Sequence, residues 1–424
     1  MEDNSKYYSD YIENKYEKSK HIYEKKFSTE SVEDFLIAYE ATNIYPTYPR
    51  PIIMNLVTKD DDIKIDNNKS YIFNNNKLNS ITTLINNKIR EYNKYKPQIK
   101  NITQNQKVRR LFDYEIRDRI KPNFPDSYIT NAWTKLYELL ASYNIFLDNK
   151  SDTIKTFHIC EHPGAFIYAT RDYIDKNFPD KAHKYIFQSL KPSTDKKIFK
   201  VEDKLGTSSS LDYGYDDTGD ITHSDNIIYY GDTYRKEKFE LITSDCGLDC
   251  SAEFENQETN LQKIFMGALL CAINIASDGT YYISKLFSFH TYKAIEMLYI
   301  GSYFFESVDI VRALTTKSGS GEVYIIYKNF KRPNNFDIIF KELIEYYENY
   351  DNIISFTSIN STIIRRIEKF AKLLAIRRIV LMNQLIFRII NRDYIENNQE
   401  VRRYVQKFAD YYANYYLLYT KIEK

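Results

Sequence analysis

Two features of this chain have the residue types for chemistry: a turn that can admit a ligand, and charged side chains at the ends of apolar runs. The turn lies in residues 156–166, TFHICEHPGAF. An apolar run, Phe157-His158-Ile159-Cys160, breaks at Glu161-His162-Pro163-Gly164 and gives way to helix-like sequence from Phe166 onward. The order strand, small-residue turn, helix lets a small ligand lie close to the backbone at Gly164 and Ala165, where the helix N-terminus offers free amides. By itself a Pro-Gly turn after a strand is more often only a turn. Its weight comes from Asp245, Lys285 and Glu322, which fall at or near the ends of later apolar runs. Ligands of an open α/β sheet sit beyond the C-terminal ends of its strands.

The elements that must position these residues follow from the hydrophobic pattern. Apolar runs of strand length occur at residues 156–160, 184–188, 239–244, 280–286, 308–314 and 323–327, with helical stretches between several of them, most clearly 261–276. That alternation predicts an α/β fold: a Rossmann-like, mostly parallel sheet with helices on both faces. Asp245 then follows one strand, Lys285 lies near the end of the next, and Glu322 immediately precedes the last. If the last strand is antiparallel, its start shares the edge of the other two. Upstream, residues 131–142 (NAWTKLYELLAS) read as a helix with Trp133, Leu136, Leu139 and Leu140 at core spacing and Lys135 on a different side from Trp133.

Outside this region less can be read. Residues 1–107 form an N-terminal accessory region with a helix near residues 8–23, a strand at 51–57, a loop over most of 60–79 and a helix at 81–95. Residues 333–424 form a C-terminal helical region. Its stretch 361–392 carries Arg365, Arg366, Lys369, Lys372, Arg377, Arg378, Arg388 and Arg392 against the single acid Glu368. A solvated basic face and an RNA or protein docking surface are equally compatible with that run.

Composition sets broad bounds. A chain of 424 residues with 43% hydrophobic content can bury a sizeable core over two or three domains. A net charge of +1 says little about partners. The 40 Tyr and 25 Phe, with abundant Asn, Lys and Ile, point to an AT-biased coding sequence. Cys160, Cys246, Cys250 and Cys271 make no disulfide framework, and with His158 and His162 they give no zinc spacing, so buried thiols in a reducing compartment are expected. With no apolar signal region and no membrane-spanning run, a soluble intracellular protein is expected.

In order, NAWTKLYELL, FHICEHPGAF, DDTGDITHSDNI, LITSDCGLDCSAEFENQE, GTYYISKLF and SGSGEVYIIYKNF resemble the motifs of the FtsJ-like RNA 2′-O-methyltransferases, especially the branch acting on mRNA caps. The resemblance runs from about Ser127 to Arg332, within a methyltransferase domain placed at residues 108–332. It implies a catalytic tetrad of Lys135, Asp245, Lys285 and Glu322, with S-adenosylmethionine as cofactor and capped mRNA as acceptor. The cofactor loop would be Cys160, Glu161, Pro163, Gly164, Ala165 and Phe166, with Asp245 also at the cofactor site and Asp220, in TGDIT, on the adenosine part. Thr316, Lys317, Ser318 and Ser320 are candidates for RNA phosphate or sugar contacts. The resemblance further implies a viral enzyme of the host cytoplasm, packaged in the virion or working beside other viral capping or transcription proteins.

The residue types suit that chemistry. A ribose hydroxyl is a poor nucleophile until its proton is withdrawn, and a lysine accepts that proton only when its pKa falls below the usual ~10.4. Lys285 is the base that the resemblance implies. Lys135 supplies a nearby like charge, which lowers that pKa, while Asp245 and Glu322 orient the ammonium groups and oppose the shift. The scheme requires no metal. Two departures stand out: Gly164-Ala165 replaces the Gly-Gly common in the turn, and Ser189-Leu190-Lys191 carries no acid where many relatives bind the cofactor ribose. A catalytically weak RNA-binding or capping-complex subunit, and a 2′-O-methyltransferase of other RNA, are the alternatives.

Overall fold

A computed structural model describes residues 5–28, 31–42, 52–56, 65–66, 75–95, 111–191, 209–247, 257–287, 291–316, 320–349, 355–356 and 361–418. The N-terminal part contributes α1 (Ser5–Ser19), α2 (Val32–Thr42), β1 (Ile52–Leu56) and α3 (Asn76–Tyr95). Next come α4 (Leu111–Ile120), α5 (Asn131–Tyr143), β2 (Thr153–Ile159), α6 (Ala165–Asn177), β3 (Ala182–Gln188) and β4 (Ser209–Asp212). They are followed by α7 (Ser224–Tyr234), β5 (Leu241–Ser244), α8 (Gln257–Ile275), β6 (Tyr281–Phe287), α9 (Tyr292–Phe304), β7 (Phe305–Arg312) and β8 (Glu322–Phe330). The remaining helices are α10 (Phe336–Glu348), α11 (Ser361–Ile390), α12 (Arg392–Asn397) and α13 (Gln399–Tyr412).

The eight strands form one sheet in the order β1-β7-β8-β6-β5-β2-β3-β4. From β6 through β4 every pairing is parallel. The β6–β8, β8–β7 and β7–β1 pairings are antiparallel. The central strands β5, β6 and β8 are buried along most of their length because both faces are covered. Along β8 the alternation is visible: Val323, Ile325 and Tyr327 enter one core, while Tyr324 and Ile326 enter the other. Helices α5 and α6 pack on the second face; α7 to α10 pack on the first, whose core also takes in residues of α1, α3 and α11. Strand β1 comes from the N-terminal region yet completes the sheet edge.

One polar cluster is buried between neighbouring strands and bonded internally. His158 on β2 joins Thr156 at 2.8 Å and Thr243 of β5 at 2.7 Å, and Thr156 also meets His183 of β3 at 2.9 Å. Both imidazoles are kept neutral by burial, His183 with a pKa near 3.

The basic stretch of α11 divides. Arg365, Lys369 and Lys372 are exposed, but Arg377, Arg378 and Arg388 are buried. The Arg388 guanidinium donates to the Tyr39 hydroxyl of α2 at 2.5 Å. A single basic face along the helix is therefore corrected: part of the charge serves internal packing. The cysteines also need correction. Cys160 and Cys246 are joined in a disulfide across the ends of β2 and β5, Cα atoms 4.9 Å apart, rather than lying as separate thiols. Cys271 is a buried thiol, and Cys250 lies outside the described residues.

Candidate active site

The turn after β2 is held by its neighbours on β3. Cys160 has a positive φ of 57°, and Gly164, at φ 101°, caps the N-terminus of α6 in the left-handed region, where a side chain would be strained. The Cys160 amide donates to Gln188 Oε1 at 3.1 Å and the Glu161 amide to the Gln188 carbonyl at 3.1 Å. The other end of the Gln188 side chain donates to the carbonyl of Gly219, so one amide group braces both Cys160 and the loop of Asp220. The His162 amide donates to Ser189 Oγ at 3.3 Å. Thus Gln188 and Ser189 brace the turn beside the position that lacks the expected acid. Gly219 is required there, because a Cβ would stand 1.9 Å from the Ser189 carbonyl oxygen.

Glu161 turns inward. Its Oε1 accepts from the Phe166 amide at 2.5 Å, while Oε2 is buried with no partner among the described residues. Burial first, and the Asp245 charge second, push its carboxyl well above the usual range. Asp220 is partly exposed; its Oδ1 accepts from Thr222 N at 2.8 Å and Thr222 Oγ1 at 2.7 Å, which fixes the carboxylate at the loop.

The charged residues meet along the neighbouring edge. The antiparallel pairing of β6 with β8 sets Phe287 opposite Glu322 and Lys285 opposite Tyr324, so the start of β8 lies beside the end of β6. Lys285 Nζ stands 2.6 Å from Asp245 Oδ1 and donates to the Asp245 carbonyl at 3.0 Å. Lys135, on α5, reaches Glu322 Oε1 at 2.5 Å. Its helix is set by Thr130, whose side chain accepts from Trp133 N at 3.2 Å, and by Trp133 Nε1, which donates to Asp172 of α6 at 2.8 Å. All of Lys135, Lys285 and Glu322 are buried. The structure therefore brings Lys135, Asp245, Lys285 and Glu322 together as two ion pairs.

The electrostatics decide the resting charges. Burial raises the Glu322 carboxyl, but Lys135 and then Lys285 outweigh it and bring its pKa down to about 2. Burial lowers the Lys285 ammonium, but Asp245 and Glu322 outweigh it, and its pKa rises above the ordinary value. In this arrangement Lys285 rests as an ammonium.

Of the residues the sequence suggests for RNA contacts, Thr316 is buried, and Ser320 Oγ accepts from the Glu322 amide at 3.1 Å. Lys317 and Ser318 lie outside the described residues. Four residues that the sequence reading did not single out belong to the same neighbourhood: Glu138, Gln188, Arg312 and Tyr324. Arg312 Nη1 donates to the Glu322 carbonyl, and the buried Tyr324 phenol is pushed well up by burial and then by Glu322. Glu138 had a visible signal, an acid inside the apolar stripe WTKLYELL; the others depend on strand register. Among the described residues no group of three or more His, Cys, Asp or Glu is placed to hold a metal ion, and no helix is long and apolar enough to cross a membrane.

A mostly parallel sheet with a glycine turn and lysine–carboxylate pairs at one edge is an open α/β architecture of the kind that binds ligands beyond its strand ends. Residues 128–330 match the FtsJ-like methyltransferase family, and this part of the chain is an FtsJ-like methyltransferase domain. The cap-specific mRNA (nucleoside-2′-O-)-methyltransferase 2 of Drosophila melanogaster is 27% identical over 228 residues, covering 51% of this chain and 32% of that protein. Protein L511 of Acanthamoeba polyphaga mimivirus is 30% identical over 228 residues, covering 52% of this chain and 28% of its own. The methyltransferase EP424R of African swine fever virus is 25% identical over 248 residues, covering 54% and 56%. The matched segments thus span about a third to just over half of these relatives. A solved ribosomal RNA methyltransferase from Plasmodium falciparum aligns over 46% of this chain and 96% of its own, with 17% identity and a TM-score of 0.32.

Proposed function

We propose that the chain is an S-adenosylmethionine-dependent RNA ribose 2′-O-methyltransferase that forms cap-1 on viral mRNA. The observation that carries this reading is the pairing of Lys135 with Glu322 and Lys285 with Asp245 beside the Gly164 turn. The loop has features that fit the cofactor: Gly164 presents no Cβ, and Glu161 Oε2 is a buried acceptor without a donor among the described residues, suited to a cationic group. Cys160, Glu161, Pro163, Gly164, Ala165 and Phe166 would hold it together with Asp245, and Asp220 would meet its adenosine part. When bound, S-adenosylmethionine supplies a methyl group on a sulfonium.

The protein's own part is to place and prepare the acceptor hydroxyl. Asp245 fixes the position of Lys285 Nζ through its carboxylate and carbonyl. As a neutral amine, Lys285 takes the 2′-hydroxyl proton; as an ammonium it steadies negative charge on the same oxygen. Glu322 pairs with Lys135, whose positive charge would oppose protonation of the neutral Lys285 amine. Fixing the hydroxyl in line is the larger contribution, since positioning supplies up to ~7–11 kcal/mol in favourable cases. Thr316, Lys317, Ser318 and Ser320 are the candidates for RNA contacts. Relatives from African swine fever virus and a mimivirus support reading this as a viral protein. Its place would be the host cytoplasm or the virion, beside other viral capping or transcription proteins.

The test is methyl transfer from labelled S-adenosylmethionine to a short RNA whose cap is already methylated at guanine N7. Wild type is compared with Lys285→Ala, and a 2′-O-methylated RNA serves as blocked acceptor. Label entering only the free 2′-hydroxyl, and only with wild type, is the expected result. Equal transfer to uncapped RNA would assign the enzyme to other RNA. No transfer combined with no cofactor binding by calorimetry would sink the enzymatic reading.

A further inference from the structure

Glu138 has no task in the scheme above, yet it is fully buried on α5, one turn beyond Lys135. A buried carboxylate persists only where it is bonded. Its Oε1 accepts from the Leu314 amide at 2.8 Å, and its Oε2 accepts from Thr315 Oγ1 at 3.3 Å and lies 3.5 Å from the Thr315 amide. These partners are 176 and 177 residues away in sequence. They sit in the turn that closes β7, where the Thr316 amide donates to the Ala313 carbonyl at 3.2 Å. Residues 135 and 138 share a face of the helix, three positions apart. Helix α5 is therefore fastened twice: through Lys135 to Glu322 at the start of β8, and through Glu138 to Leu314 and Thr315 in the turn after β7.

The two fastenings differ in stiffness. Lys135 is a point charge on a flexible four-carbon stem, so the ion pair by itself leaves the helix free to shift. Glu138 is short, and it grips main-chain amides, which move only with the backbone. We propose that Glu138 is a positioning residue for the acceptor half of the site. It sets α5 against the turn at Leu314 and Thr315, so that the Lys135 ammonium meets Glu322. This role rests on the methyl-transfer reading. It acts through Lys135 and that turn, without contact with RNA.

The test uses the full chain as wild type, Glu138→Gln and Thr315→Val. The Gln side chain keeps an acceptor for Leu314 but turns an N–H toward the Thr315 amide; Val removes only the Thr315 hydroxyl. Cofactor-site integrity is read by calorimetry with S-adenosylhomocysteine, RNA binding by anisotropy of a short fluorescent RNA, and turnover by kcat and KM for that RNA. Glu138→Gln is expected to lower kcat/KM for RNA by about 10- to 100-fold, the scale of an ångström misplacement, with cofactor affinity unchanged within about twofold. Thr315→Val is expected to show a smaller loss of the same kind. Unchanged RNA kinetics in both variants, or cofactor affinity falling in step with RNA kinetics, would overturn the proposal. If wild type binds RNA without methylating it, unchanged RNA affinity in the variants overturns it equally. A wild type that neither binds nor methylates RNA removes the methyl-transfer reading and this role together.

Discussion

The two halves of the proposed site are built differently. The half proposed for the cofactor is a backbone device: positive φ at Cys160 and Gly164, with the neutral amide of Gln188 bracing Cys160 and Gly219. Its one inward acid, Glu161, is pushed toward its neutral form. The acceptor half is a charge device: two lysines and two carboxylates, three of them buried, paired at 2.5 and 2.6 Å. A backbone device tolerates changes that preserve the turn. A buried charge device does not, because removing one partner leaves the other ionised without compensation. Damage to the two halves should therefore look different in experiment.

The largest separation should come from Lys285→Met. Turnover falls by at least about 10³-fold, within the range for loss of a positioned proton-transfer group, while the affinity for S-adenosylhomocysteine holds. In the wild type, log(kcat/KM) rises with pH through the neutral range and beyond, because the free enzyme's Lys285 titrates above its ordinary value. A profile already flat near neutrality would remove Lys285 as the base.

Next is Glu322→Ala, which strands the buried Lys135. It should cost about 3–5 kcal/mol of stability by denaturant titration, and Lys135→Ala made on top of it should cost much less than Lys135→Ala alone. Strict additivity of the two changes would show that the pair is not coupled.

The cofactor half should respond more mildly and in the opposite readout. Gly164→Val strains a left-handed position, and Gln188→Ala strips partners from Cys160 N and the Gly219 carbonyl. Each costs about 1–3 kcal/mol locally, seen as roughly tenfold or more weaker S-adenosylhomocysteine binding in calorimetry. KM for RNA should stay level; a matching rise would mean that the two halves are not separable.

The smallest effect concerns the core beneath the site. Desolvation keeps the buried His158 and the half-buried His183 neutral, His183 with a pKa near 3, whereas in the unfolded chain both take protons near 6.5. Depressed folded values mean that their stabilising effect is present above pH 6.5 and is lost as pH falls from there toward 3. The slope reaches about 1.4 kcal/mol per pH unit for each histidine. A thermal midpoint that drops on acidification, and drops less in His183→Gln, is the expected pattern; an identical drop in both would clear His183 of the effect.

Much of the fold was legible because buried strands announce themselves as apolar runs. TYYISKL and VYIIY became β6 and β8, and PIIMNLV became β1. The short β4 escaped, being four residues of mostly polar sequence, SSLD. The pairing of Cys160 with Cys246 also escaped, since 86 residues separate them and only the adjacency of β2 and β5 joins them. The basic run of α11 was misleading for a similar reason: which arginines face water depends on what packs against the helix.

The sequence by itself determined the turn of the cofactor half, because Pro163 and Gly164 limit the backbone locally, whatever surrounds them. It also supplied the types and order of Lys135, Asp245, Lys285 and Glu322. Only the tertiary structure decided their pairing: the antiparallel β6–β8 register sets Glu322 beside the end of β6, and α5 brings Lys135 across to it. It likewise decided their charges, since burial and partner distance, neither encoded in any one residue, fix which groups hold their protons.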